Sequence, residues 1–273
     1  MCLVLHVSET GYYRSLRFSD KKKREVLLEE IKEIVHRYPD NDNYGAKRIQ
    51  IALAQKGRYV SYSTVYRAMK EGGLLHKVKR RPNGITRADA AAQKAENLIM
   101  RDFTAPKPGM KYLTDITQVN CSDGTLYMSA VLDCFNGEIV GLAMDDNMRS
   151  DLCVRALENA CNATGTRGMI VHSDRGSQYT STVFRASLER YGAIQSMSGT
   201  GKCFDNARME SFFATLKKEK LYKICTKRLR MTQVKTIAFR YIMIYYNRQR
   251  IYTPNPGGWP PVIYREAALL SAA

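Results

Sequence analysis

The sequence has no run of about 18 apolar residues, the least that would cross a bilayer as a helix, so no membrane segment is expected. Its apolar opening, Met1 to Val7, is short, carries His6 and follows no basic stretch. It reads as the start of a folded segment and not as a secretion signal. The seven cysteines are odd in number, scattered, and form no C-x-x-C pair, and the four histidines are equally dispersed. That spacing excludes a disulfide framework and a Cys/His zinc site, and it suits a reduced, cytoplasmic compartment. A phosphate loop is also missing. In the stretch ending Gly199-Thr200-Gly201-Lys202-Cys203, Ser196 stands where the first Gly belongs and Cys203 where Ser or Thr belongs, so ATP binding is unsupported. There is no internal repeat and no low-complexity tract.

What is present is a foldable, strongly basic chain. Its 273 residues suffice for about two domains, and 44% hydrophobic with 10% aromatic content can fill a core. The formal charge of +17 is unevenly spread. Residues 1–87 hold 19 basic and 9 acidic side chains, residues 88–201 hold 10 and 13, and residues 202–250 hold 13 and 3. Two basic blocks around a mildly acidic middle suggest two surfaces for a polyanion flanking a core that gathers carboxylates. Nucleic acid is the natural polyanion, because neutralised phosphates release counterions.

Lys21 to Tyr38 carries Val26, Leu27, Ile31, Ile34 and Val35 at helical spacing. Tyr44 to Gln55 reads as a second helix ended by Lys56-Gly57, and Ser61 as the N-cap of a third, Tyr62 to Glu71, stopped by Gly72-Gly73. Two short helices joined by a Gly-containing turn make a helix-turn-helix candidate. In that reading Tyr62, Ser63, Thr64 and Arg67 face a major groove while Val65 and Met69 pack inward. Lys77 to Pro82, with Lys79, Arg80 and Arg81, looks like a linker that tracks phosphates, and a helix is expected over Ala88 to Met100. Three β-rich runs follow, Lys111 to Asn120, Thr125 to Asp133 and Glu138 to Asp145, separated by the hairpin signals Asp123-Gly124 and Asn136-Gly137. Then come helix 150–163, strand 169–173, helix 182–191 and strand 193–197, and two long helices, about 206–222 and 231–250, finish the domain. Three antiparallel strands followed by alternating helices and strands give the order of an RNase H-like α/β fold. The expected division is a helix-turn-helix region over 1–76, a basic linker and helix over 77–104, and an RNase H-like core over 105–268.

On that fold three acids stand out. Asp115 falls midway along the first strand, where a charge is costly unless used. Asp174 ends the fourth strand, and Glu210 lies one turn into a long helix. Carboxylates converging from two strands and a helix make a hard, all-oxygen site suited to Mg²⁺ or Mn²⁺. Asp133, Glu138, Asp145 and Asp146 read as solvated turn residues, and His172 as a packing residue.

There are 58 residues between Asp115 and Asp174 and 35 between Asp174 and Glu210. With Thr114-Asp115-Ile116-Thr117, His172-Ser173-Asp174-Arg175-Gly176-Ser177-Gln178-Tyr179 and Asp205-Asn206-Ala207-x-x-Glu210-Ser211-Phe212-Phe213, this spacing resembles the DDE transposases of bacterial insertion sequences, relatives of retroviral integrases. More narrowly, the chain is similar to the second-frame protein of the two-frame insertion-sequence family that transposes through a circular intermediate. Val7-Ser8-x-x-Gly11-Tyr12-Tyr13, Tyr44-Gly45-x-x-Arg48-Ile49 and Tyr245-Tyr246-Asn247-x-x-Arg250 look like that family's flanking motifs. The departures are Tyr112 and Leu142 in place of common Trp residues, Gly137 where Arg is common, Tyr252 where His often follows, and Gly199-Thr200-Gly201 for a usual basic pair.

The resemblance implies an integrase catalytic core in which two Mg²⁺, replaceable by Mn²⁺, are held by Asp115, Asp174 and Glu210. It implies metal-dependent cleavage and strand transfer at element ends, with Lys217 touching DNA near the cut. Arg48 joins the DNA-binding candidates. Implied partners are double-stranded DNA, further copies of the chain on that DNA, and an upstream-frame partner or fusion, in the bacterial cytoplasm at the nucleoid. Rival readings are an RNase H-like nuclease that does not join strands, and a DNA-binding regulator without chemistry.

Overall fold

The computed structural model describes residues 8–75, 96–164, 168–199 and 203–271. The chain divides into two compact units, residues 1–81 and 82–273. Met1 to Val7, the linker at 77–82 with Lys79, Arg80 and Arg81, and most of the helix expected over 88–100 lie outside the described residues.

The first unit is built on three helices, α1 (Glu9–His36), α2 (Ala46–Gln55) and α3 (Tyr62–Glu71). Leu27, Ile31 and Ile34 of α1, Ile49 and Leu53 of α2, and Val65 and Met69 of α3 are all buried, as their helical spacing dictates. Helix α1 starts well before the expected Lys21, because Ser8 accepts a hydrogen bond from the Gly11 N–H (3.0 Å) and caps it. Val26 stands out of the apolar face, 49% exposed. Gly57 closes α2 at φ +77°, a left-handed conformation that favours glycine. Ser61 caps α3 through the Thr64 N–H (3.3 Å).

The second unit is a five-stranded sheet of order β3-β2-β1-β4-β5. Strands β1 (Lys111–Cys121), β2 (Gly124–Asp133) and β3 (Ile139–Asp145) form an antiparallel meander, and β4 (Ile170–Ser173) and β5 (Ile194–Met197) add in parallel. Asp123-Gly124 and Asn136-Gly137 make the turns, with Gly137 at φ +77°. Helix α4 (Ser150–Thr164) packs across β3 and β2, and a one-turn α5 (Ser177–Thr180) precedes α6 (Thr182–Arg190). The core on this side includes Tyr112, Val131, Leu152, Ala156, Phe184 and Met197.

Helix α7 (Ala207–Leu216) runs on into a π-helical turn, Lys217–Leu221, and α8 (Met231–Phe239) into another, Arg240–Tyr246. A further helix, α9 (Pro261–Leu270), closes the unit, so two long helices do not finish it. Pro261 at the first turn is where proline starts a helix. Residues 96–100 are not helical as expected: Met100 and Arg101 take positive φ (44° and 66°), and the Asn97 and Arg101 side chains reach across to Asp205.

Candidate active site

Asp115 lies on β1, paired with Ala130 of β2 on one side and facing the end of β4 on the other. The parallel register pairs Lys111 with Ile170, Tyr112 with Val171 and Leu113 with His172. Carried two residues further, that register sets Asp174, just beyond β4, level with Asp115. Neighbouring strands run about 5 Å apart, so two carboxylates at one register position cannot ignore each other. Asp174 also accepts the Gly176 N–H (2.9 Å), holding the turn that leaves the sheet. Glu210 stands in the first turn of α7, whose start is tied to β1 by the Asn206 amide donating to the Thr114 carbonyl (3.1 Å).

Electrostatics reports the same convergence. Burial first, and then the charges of Asp174 and Glu210, push the Asp115 carboxyl up to about 7, against the Ile116 N–H bond to its Oδ1 (2.8 Å) and the Lys217 ammonium. The surrounding protein also pushes Asp174 and Glu210 up, although both residues keep exposed surface. Desolvation lowers Lys217, and Asp115 opposes that shift. Lys217 opens the π-helical turn after α7, and such turns often mark functional positions. An Asp115 carboxyl raised by the charges of Asp174 and Glu210, beside the Lys217 ammonium, belongs to a donor set that fits a hard divalent cation in charge and in kind. Among the described residues, however, no three His, Cys, Asp or Glu side chains stand close enough to hold one ion.

His172 is fully buried between Ser196 Oγ (2.8 Å from Nδ1) and Ser198 Oγ (3.2 Å from Nε2), and burial lowers its pKa to about 4. It packs, as expected. Two expectations fail. Asp133 and Glu138 are not solvated: Asp133 accepts the Gly109 and Phe135 N–H groups (2.8 and 2.9 Å), and Glu138 pairs with Arg265 (3.1 Å). Both brace the turn after β2, a use that local sequence does not distinguish from exposure. Asp145 pairs with Arg155, and Asp146 is exposed.

Sequence reasoning missed what supports the acids. The Tyr179 hydroxyl lies 3.2 Å from Thr114 Oγ1, within the core beside β1. Asp205 is buried under three hydrogen bonds, and Asn206 is buried beside it. Their place in the Asp-Asn-Ala-x-x-Glu motif was the available signal. In the first unit, Tyr62, Ser63 and Arg67 lie on the exposed face of α3, whereas Thr64 is half-buried with its hydroxyl 2.9 Å from Ser61 Oγ. Arg48 is half-buried, its guanidinium over the Tyr44 ring (5.5 Å).

Family models described as an integrase core domain match residues 105–203 and 210–269, and one described as an HTH-like domain matches residues 22–82. The chain is 35% identical over 271 residues to the 31 kDa protein of insertion element IS600 from Shigella sonnei, covering 97% of each. It is 36% identical to the transposase of insertion sequence element IS904 from Lactococcus lactis, covering 85% of this chain and 90% of that one. It is 32% identical to transposase InsF of insertion sequence IS3A from Escherichia coli, covering 92% and 88%. The chain belongs to the insertion-sequence transposases. The transposase is therefore a polynucleotidyl transferase with an RNase H-like integrase core and an N-terminal helix-turn-helix-like region, and DNA cleavage and strand transfer are the activity of its family. Among solved structures it is similar to a chain of a simian T-cell lymphotropic virus intasome (17% identity, TM-score 0.46, 74% of this chain and 66% of that one). It is also similar to the HTLV-2 integrase catalytic core domain in complex with magnesium (14% identity, TM-score 0.43, 57% and 97%). In the described residues of the transposase no helix is long and apolar enough to cross a membrane.

Proposed function

We propose that Asp115, Asp174 and Glu210 are the catalytic carboxylates of this transposase and hold two Mg²⁺, with Mn²⁺ able to replace them. The observation that supports this reading is that the charges of Asp174 and Glu210 both act on Asp115, whose carboxyl is pushed up to about 7 by burial and by those charges. When bound, the ions supply activation of an attacking oxygen and charge stabilisation of the leaving oxygen in an in-line phosphoryl displacement. The chain's own part is to present the three carboxylates from β1, the turn after β4 and the first turn of α7, and to place Lys217 against a phosphate beside the cut. Hydrolysis frees a 3′-hydroxyl at the element end. That hydroxyl then attacks a second phosphodiester, displacing its 3′-oxygen and joining the strands.

In this reading residues 1–76 bind element ends, with Tyr62, Ser63, Thr64 and Arg67 toward the major groove and Arg48 on the backbone. Residues 77–104, with Lys79, Arg80 and Arg81, track phosphates, and 105–268 do the chemistry. Several copies assemble on DNA at the nucleoid, with an upstream-frame partner or fusion completing the active enzyme.

The test is strand transfer on end-sequence oligonucleotides with Mg²⁺. Asp115→Asn, Asp174→Asn and Glu210→Gln each remove a metal-binding charge at nearly constant volume. Each is expected to abolish cleavage and joining while leaving end binding nearly intact. Near-normal strand transfer by any one of them removes that residue from the site.

A further inference from the structure

Asp205 and Asn206 immediately precede α7, and each reaches a different neighbour. The Asp205 carboxylate, 1% exposed, accepts from Asn97 Nδ2 (2.8 Å), Arg101 Nε (2.9 Å) and the Gly199 N–H (3.0 Å). One buried charge thus gathers the segment leading into the core, the loop after β5 and the start of α7. Asn206, 4% exposed, is the N-cap of α7 but makes no side-chain cap bond. Asn is among the preferred capping residues, so forgoing the cap is informative. Its amide instead donates to the carbonyl of Thr114, the residue before Asp115 (3.1 Å). Its Oδ1 is buried with no partner among the described residues, which is uncommon for a buried acceptor. Glu210 stands in the first turn of the helix that this tie holds.

We propose that Asp205 and Asn206 are positioning residues that dock the first turn of α7 onto β1 and thereby bring Glu210 to Asp115. The proposal rests on the reading of Asp115 and Glu210 as metal-holding groups. Asn206 fixes the helix start against the strand that carries Asp115. Asp205 fixes it against the loop after β5 and the segment at 97–101. Neither touches the reacting atoms. Their effect is on how completely the acids assemble.

The experiment uses the full chain with Asn206→Ala and Asp205→Asn, and Glu210→Gln as reference. Because Asn206 makes no cap bond, alanine there removes the tie to Thr114 without uncapping α7. The readouts are Mn²⁺ affinity without DNA, by electron paramagnetic resonance, thermal unfolding, and the Mg²⁺ dependence of strand transfer. Loss of groups that orient metal ligands typically weakens metal binding on the order of 10–100-fold. A weakening of that size is expected in Mn²⁺ affinity and in the Mg²⁺ needed for half-maximal strand transfer, with the rate partly recovered at high Mg²⁺ and end binding unchanged. Wild-type Mn²⁺ affinity in Asn206→Ala overturns the proposal, as does a lowered melting temperature with unaltered metal dependence. Should Asp205→Asn not fold, Asn206→Ala decides alone. Turnover by Glu210→Gln sinks the site reading itself, and the proposal with it. Inactive Glu210→Gln beside wild-type metal affinity in Asn206→Ala sinks only the positioning role.

Discussion

Asp115 is half-buried on β1 with its carboxyl pushed up to about 7, by burial first and then by Asp174 and Glu210. The unfolded chain gives up that proton near 3.8, so between about 4 and 7 the folded state holds a proton that the unfolded state has lost. Stability of the metal-free protein therefore falls as pH rises toward 7, and a bound cation restores it. Metal and proton compete for the same carboxyl. The Mg²⁺ needed for half-maximal strand transfer is expected to rise roughly fivefold from pH 7 to pH 6, because a carboxyl at about 7 is half protonated at the upper pH and nearly fully protonated at the lower. Metal titrations at several pH values check this. A requirement that stays flat from pH 6 to pH 8 removes the Asp115 carboxyl from metal binding.

At the scale of elements, Glu219 in the first π-helical turn forms a buried bidentate ion pair with Arg250, which follows the second turn, and accepts a bond from Tyr241 within that second turn. Arg250 donates from Nε to Glu219 Oε2 (2.9 Å) and from Nη2 to Oε1 (2.8 Å), and the Tyr241 hydroxyl donates to the same carboxylate (2.7 Å). Glu219 lies in the turn that Lys217 opens, so this pair fixes the helical phase of Lys217 beside Asp115. Arg250→Met leaves a buried carboxylate without its cation, and a loss of about 3–5 kcal/mol in unfolding free energy is expected. Glu219→Gln combined with Arg250→Met removes both charges and is expected to recover most of it. Denaturant unfolding reads both. Additive losses show that the two residues do not act as a pair. A second contact ties together two departures from the family pattern: a Cβ at Gly137 would stand 2.5 Å from the Tyr252 ring. Glycine where Arg is common and tyrosine where His often follows occupy one space, so each fits because of the other.

For the whole molecule, the two units divide the basic charge between them, and salt dependence separates their contributions. A fragment of residues 88–273 keeps all three acids and the basic block of 202–250, so it should bind and nick DNA at low ionic strength. It lacks α3 and should lose preference for element ends, its affinity falling steeply with salt as phosphate-only binding does. Residues 1–87 should keep some end preference and show no chemistry. Filter binding at several salt concentrations with end and scrambled duplexes measures both. Undiminished discrimination by 88–273 moves sequence reading into the integrase core.

Sequence alone determined the family and the order of the five strands, and it singled out the three acids as candidates. Period-two and helical apolar patterns survive folding because each element must bury its own stripe, and α3 runs over Tyr62–Glu71 as its cap and glycine stop dictate. Spacing along a strand and a helix likewise carries a carboxylate to a definite point. Only the tertiary structure decided which polar residues serve those acids. Whether Asp133 is solvated or braces a turn, whether Asn206 caps its own helix or ties it to β1, and whether Glu219 meets Arg250 depend on partners dozens of residues away. A buried polar group is satisfied by whatever the fold brings within hydrogen-bond reach, and local sequence does not encode that reach.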